Sequence, residues 1–180
     1  MQNKKLILFV VKALGLLLLW IFGYELWLKG EGTVDNWLTS LAAAHSSVVF
    51  SWMDIPIVNQ LTSYGEAMVV AGNPLLYIAH SCNGLVLYAM FAGFILLFGK
   101  QWGKKLAFIG GGLLLIYAMN IARIVLLCLI QLHYPNWLDI SHKYIFTILI
   151  YAAIFLMWMK WVNMQPVPQK KSPGTKNAHV

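Results

Sequence analysis

LAFIGGGLLLIYAMNIARIVLLCLIQL, residues Leu106–Leu132, decides how this chain folds. Its one ionised side chain is Arg123, and as a helix the run can cross a hydrocarbon core about 30 Å thick. An arginine inside such a span costs at least about 2.5 kcal/mol on translocon scales unless it reaches a partner or the headgroups. The stretch therefore reads as a transmembrane helix with one expensive residue that has a purpose, either in chemistry or as an interfacial anchor.

Composition extends that reading to the whole chain. Of 180 residues, 60% are hydrophobic and only 11% are charged, against about 25% charged in soluble domains. The net charge of +7 comes from a few lysine clusters rather than a basic stripe, which argues against a nucleic-acid partner. The two cysteines, Cys82 and Cys128, do not make a disulfide framework. Cys128 lies deep in the apolar run quoted above, where a thiol usually serves as a small hydrophobe.

Outward from Leu106–Leu132, three more segments can span: Leu6–Leu28, Leu75–Phe98 and Tyr144–Val162. The first begins like a signal peptide, but its apolar run is too long and no small-residue cleavage site closes it, so it reads as an uncleaved anchor. Lysines set the orientation. Lys4, Lys5 and Lys12, then Lys100, Lys104 and Lys105, then Lys160, Lys170, Lys171 and Lys176 all fall on the cytoplasmic side if the chain crosses at these four segments. The expectation is an all-α, polytopic membrane helix bundle of four transmembrane helices. It forms one membrane domain, residues 1–163, with an external segment over 29–74 and both termini cytoplasmic. The tail, 164–180, reads as disordered and basic.

Val34–Met53 tempts a fifth span, but Asp35, Asn36, Thr39, Ser40, His45, Ser46 and Ser47 make insertion costly, and a fifth crossing would misplace the central lysines. Trp37, Leu41, Ala44, Val48 and Trp52 recur at helical spacing, which predicts an amphipathic helix on the outer interface. Ile57–Asn73 reads as irregular or hairpin-like, with turn signals at Ser63-Tyr64-Gly65 and Gly72-Asn73-Pro74.

Helical rise then gives depth. Measured from the cytoplasmic ends of their spans, Cys82, Arg123 and His142 stand at roughly 24, 26 and 28 Å, one layer near the outer face. A thiol with pKa near 8.5 is mostly protonated at neutral pH, and a nearby guanidinium or imidazolium favours the thiolate. Cys82 could attack a carbonyl and form a thioacyl intermediate, with His142 moving the proton. Arg123 could stabilise thiolate, oxyanion or a substrate carboxylate. Asn120, one helical turn before Arg123, would hold the guanidinium, supply a second oxyanion donor or bond between helices. Asn83 and Gly84 flank the thiol, and glycine permits close backbone approach. His80 is at most a second-choice base. His45 and His133 have no partner at metal-site spacing, and neither HExxH nor CxxC occurs, so no metal or cofactor is expected.

At these residues the chain resembles the exosortase/archaeosortase family of membrane cysteine transpeptidases. The match lies in Ser81-Cys82-Asn83-Gly84, Asn120-Ile121-Ala122-Arg123 and His142, and covers roughly residues 75–160. The resemblance implies Cys82, Arg123 and His142 as catalytic residues, with Asn120 and Asn83 auxiliary. It also implies an active site facing outward from a bacterial inner membrane. The substrates would be exported proteins whose C-terminal sorting signal joins a short motif, an apolar helix and a basic cluster. A surface glycan or glycolipid would be an acceptor. The chain is shorter than many members and looks like the compact forms of Bacteroidetes-type bacteria. The alternative from another class is a non-enzymatic membrane subunit that binds anionic lipid or glycan-lipid headgroups through Arg123. A transporter component is disfavoured by the single buried charge.

Overall fold

The computed structural model describes residues 2–28, 32–62, 65–98 and 101–165. Lys100, the Ser63-Tyr64 turn and the tail from residue 166 lie outside the described residues.

The chain is mostly helical. Helix α1 (Gln2–Trp20) continues into wider π-type turns over Ile21–Leu28, α2 spans Thr33–Ser51, and α3 spans Leu85–Leu97. The long α4 runs Trp102–His133. A helical lead-in from Pro135 then opens α5 (Phe146–Asn163). Two helical stretches, Trp102–His133 and Pro135–Asn163, are long and apolar enough to cross a membrane. Leu114, Ile148 and Leu156 are among the large apolar side chains they leave exposed.

The expected all-α class needs correction, because a three-stranded antiparallel sheet lies between α2 and α3. Strands β1 (Ile57–Thr62), β2 (Gly65–Val70) and β3 (Asn73–Ala79) pair in the order β1-β2-β3. Val70 faces Asn73 across a two-residue turn in which Ala71 and Gly72 both take positive φ, the backbone that right-twisted hairpins favour. The hairpin-like reading of Ile57–Asn73 thus describes the segment well, but the strands continue to Ala79. The expected helical span from Leu75 is therefore wrong over its first ten residues or so. Leu75–Ala79 is a continuous apolar run, and periodicity alone cannot assign such a run to helix or strand. Pairing with β2 decides it, and Pro74 is tolerated because β3 is an edge strand.

Helix α2 forms where expected, but with its apolar stripe turned away from the protein. Trp37 and Trp52 are 63% and 79% exposed, while Asp35, Thr39, Ala42, Ala43, Ser46 and Phe50 are buried against the sheet and α4. In water such a helix would be inside out. Lipid reverses the preference, because exposed tryptophans suit an interfacial layer.

Two apolar clusters pack the molecule. One joins Ala42, Ala43 and Phe50 of α2 to Met68, Ile78 and the α4 residues Ile124, Val125 and Cys128. The other joins Phe91 and Ile95 of α3 to Ile116 of α4 and Ile150, Ile154 and Trp161 of α5. Helices α3 and α4 approach closely because Gly112 has no side chain: a Cβ there would meet the Phe91 ring at 2.2 Å. Gly112→Ala should lower the thermal midpoint in detergent, at an overpacking cost of about 1–3 kcal/mol. Gly111→Ala is the matched control, since a Cβ there meets nothing within 4 Å. Equal midpoints for the two variants would show that this contact does not set the helix spacing.

Candidate active site

Between the two clusters, α4 carries a short polar band. Ile116 belongs to one cluster and Ile124 to the other, and Asn120 and Arg123 lie between them. The chain brings Cys82 to this band by breaking its own regularity. Strand β3 ends at Ala79, His80–Cys82 forms a single tight turn, and α3 starts only at Leu85. Asn83 sets that start: its Oδ1 accepts the Leu85 N–H at 2.9 Å, which satisfies an orphan donor of the first helical turn. Gly84 takes φ 88°, in the left-handed region that glycine adopts without strain. The thiol is therefore carried on a turn at a helix entrance, not on a helix as the depth estimate assumed.

The three expected residues meet. Cys82 Sγ lies 3.7 Å from His142 Nε2, within hydrogen-bond reach for sulfur. The Arg123 guanidinium donates from Nη2 to the Cys82 carbonyl oxygen at 2.6 Å. All three side chains line one cleft, whose apolar walls include Leu76 and Ile78 of β3 and Ile124 and Leu127 of α4. His142 reaches it from the π-type turns, Ser141–Ile145, that lead into α5.

The auxiliary residues also converge. Asn120, fully buried, donates from Nδ2 to the Asn83 backbone oxygen at 3.3 Å. Arg123 and Asn120 thus hold consecutive carbonyls of the Cys82–Asn83 unit. Arg123 Nε and Asn120 Oδ1 are buried without a hydrogen-bond partner among the described residues. Arg123 makes no salt bridge there either, so no described carboxylate neutralises its cation. A guanidinium in that state can offer its field to developing negative charge.

His80 is engaged elsewhere, with Nδ1 3.2 Å from Thr39 Oγ1, and it does not line the cleft. His45 Nδ1 lies 2.7 Å from the Tyr117 hydroxyl. Among the described residues, no three His, Cys, Asp or Glu side chains gather in a way that could hold a metal.

Sequence reasoning missed a second layer behind the turn. Asp35 accepts the Asn83 amide Nδ2 at 2.6 Å and the Tyr24 hydroxyl at 2.9 Å, and Glu66 accepts the Ser40 hydroxyl at 2.5 Å. Both carboxylates are buried. A charge in an apolar-rich stretch was the available signal at Asp35, but it reads equally as the solvated side of an amphipathic helix.

A thiol, an imidazole and a guanidinium thus line one cleft of a mostly helical chain that has two helices long and apolar enough to cross a membrane. The family model described as transmembrane exosortase matches residues 5–159, most of the chain. The chain belongs to that family, whose members are in general membrane cysteine transpeptidases. No curated protein and no solved structure matches it.

Proposed function

We propose that this exosortase-family protein is a cysteine protease/transpeptidase that cleaves C-terminal sorting signals of exported proteins at the outer face of a bacterial cytoplasmic membrane. The observation that carries the reading is the 3.7 Å contact between Cys82 Sγ and His142 Nε2 in a cleft shared with Arg123. A subunit that merely binds headgroups through Arg123 has no use for that contact.

These positions support a course through a thioester. His142 Nε2 takes the Cys82 proton, and the thiolate sulfur attacks the scissile carbonyl carbon. The carbonyl electrons move to oxygen, where guanidinium N–H groups not used on the Cys82 carbonyl stabilise the oxyanion. Collapse breaks the C–N bond, and the imidazolium returns its proton to the leaving amine. The acyl group stays on Cys82 as a thioester. Attack by water, or by a nucleophile on a surface glycan or glycolipid, releases it and restores the thiol.

In this reading the chain crosses four times with both termini cytoplasmic, and the cleft faces outward. The lysine clusters support that layout, and α1 and α3 supply the two crossings beyond α4 and α5. Helix α3 alone covers only about 20 Å, so the turn carrying Cys82 would lie within the membrane rather than above it. The exposed tryptophans of α2 fit the same outer layer.

The test is to trap the thioester. A tagged reporter ending in a motif, an apolar helix and an Arg/Lys cluster is expected to form an adduct on Cys82 that neutral hydroxylamine releases. An adduct that forms equally in Cys82→Ala would overturn the assignment.

A further inference from the structure

Asp35 is 4% exposed and takes part in no salt bridge among the described residues. Two neutral donors hold its carboxylate. The Tyr24 hydroxyl lies 2.9 and 3.1 Å from its two oxygens, and Asn83 Nδ2 lies 2.6 Å from Oδ1. Burying a carboxylate without a cation is expensive even when it is hydrogen-bonded. A smaller neutral residue would fill the same place between α2 and the turn at lower cost, so the group's particular chemistry is the point of interest.

That chemistry is directional. An ionised carboxylate only accepts hydrogen bonds, whereas a primary amide presents donors on one side and an acceptor on the other. Next to Asp35, the Asn83 amide must turn its NH2 toward the carboxylate. Its oxygen then points the other way, where it caps α3 at the Leu85 N–H. The same residue's backbone oxygen accepts from Asn120, and the preceding carbonyl, that of Cys82, accepts from Arg123. Side chain and main chain of the Cys82–Asn83 unit are therefore fixed from two sides. Helix α4 holds the carbonyls, and α2 holds the amide.

We propose that Asp35, itself oriented by Tyr24, is a positioning residue for the nucleophile: it locks the Asn83 amide in one orientation and, through it, the turn that aims the Cys82 thiol at His142. The inference rests on the reading of Cys82 as nucleophile. Asp35 does not line the cleft and acts only through Asn83.

The experiment compares Asp35→Ala, Asp35→Asn, Tyr24→Phe, Asn83→Ala and the double variants in native membranes. Two rates are read: processing of a tagged substrate, and maleimide modification of Cys82 quantified on its own peptide by mass spectrometry. Asp35→Ala is expected to lower kcat for processing about tenfold or more with KM nearly unchanged, the pattern of a misplaced reacting group. Asp35→Asn keeps an acceptor oxygen but adds a donor, so it no longer dictates the Asn83 orientation and should recover only part of the loss, between Asp35→Ala and wild type. Adding Asp35→Ala to Asn83→Ala should change the Cys82 modification rate no further, because residues acting through one another are not additive. The Tyr24→Phe/Asn83→Ala cycle makes the same comparison while leaving the carboxylate in place, and so guards against a folding defect. Multiplicative effects of Asp35 and Asn83 on Cys82 modification would overturn the proposal, as would an Asp35→Asn variant as active as wild type. Modification of Cys82 does not depend on its being catalytic. Processing that survives Cys82→Ala, with the non-additive modification pattern intact, would therefore count against the enzyme reading alone.

Discussion

Cys82→Ala is expected to abolish processing of a tagged sorting-signal substrate while the variant inserts and accumulates like wild type. The two halves of this result have separate physical grounds. Cys82 is only partly buried, on a turn fixed through its neighbour's backbone and side chain, so removing one sulfur leaves no core cavity. Arg123 bonds to the Cys82 carbonyl, which alanine retains. Chemistry, by contrast, loses its attacking atom, and removal of a catalytic nucleophile costs several orders of magnitude in kcat, about 10³ at least. Cys82→Ser should be nearly as inactive, because a hydroxyl beside a single imidazole is a far weaker nucleophile than a thiol. Immunoblots of substrate and enzyme from the same membranes read both halves. Processing that continues in Cys82→Ala at normal enzyme levels would remove the nucleophile assignment. Silence at Cys82 combined with harm at Arg123 would favour the headgroup-binding alternative.

Arg123→Ala should reduce processing by about 10²–10³-fold, the loss that follows removal of an oxyanion-type donor. Lysine should restore little of this. The guanidinium is a planar fork that can hold the Cys82 carbonyl with one nitrogen and offer others to the cleft, whereas an ammonium is a compact point charge. The variant also leaves a buried carbonyl without its donor, so Cys82 should react at an altered rate with maleimide. Full activity in Arg123→Lys would mean that charge alone suffices and that the fork has no geometric role.

How much could be read from the chain differs from element to element. Leu106–Leu132 announced itself through length and near-absence of charge, and α4 contains it whole. Cys82, Arg123 and His142 could be grouped before any coordinates because lysine placement assigns them a common face. The premise was partly mistaken, however. Leu75–Ala79 is strand, and Cys82 reaches its layer at the mouth of α3. Strand pairing is a long-range choice, and an apolar run without alternation gives no local sign of it. In hindsight Asn83-Gly84 was that sign, a capping side chain followed by a residue suited to positive φ. Asp35 was harder to detect. Its partner Asn83 lies far along the chain, and a carboxylate on an amphipathic helix is usually solvated. Only the inversion of α2 reveals that its polar side faces inward.

That inversion makes the surrounding medium a component of the site. Trp37 and Trp52 project from the helix whose opposite side carries Asp35 to the Cys82 turn. Whatever presses on the tryptophans can rotate or tilt the rod to which the carboxylate is fixed. On the proposed reading, the bilayer, or the detergent that replaces it, would then act as an adjustable mounting for the Cys82 thiol. Headgroup spacing and acyl-chain length belong among the variables that tune its alignment.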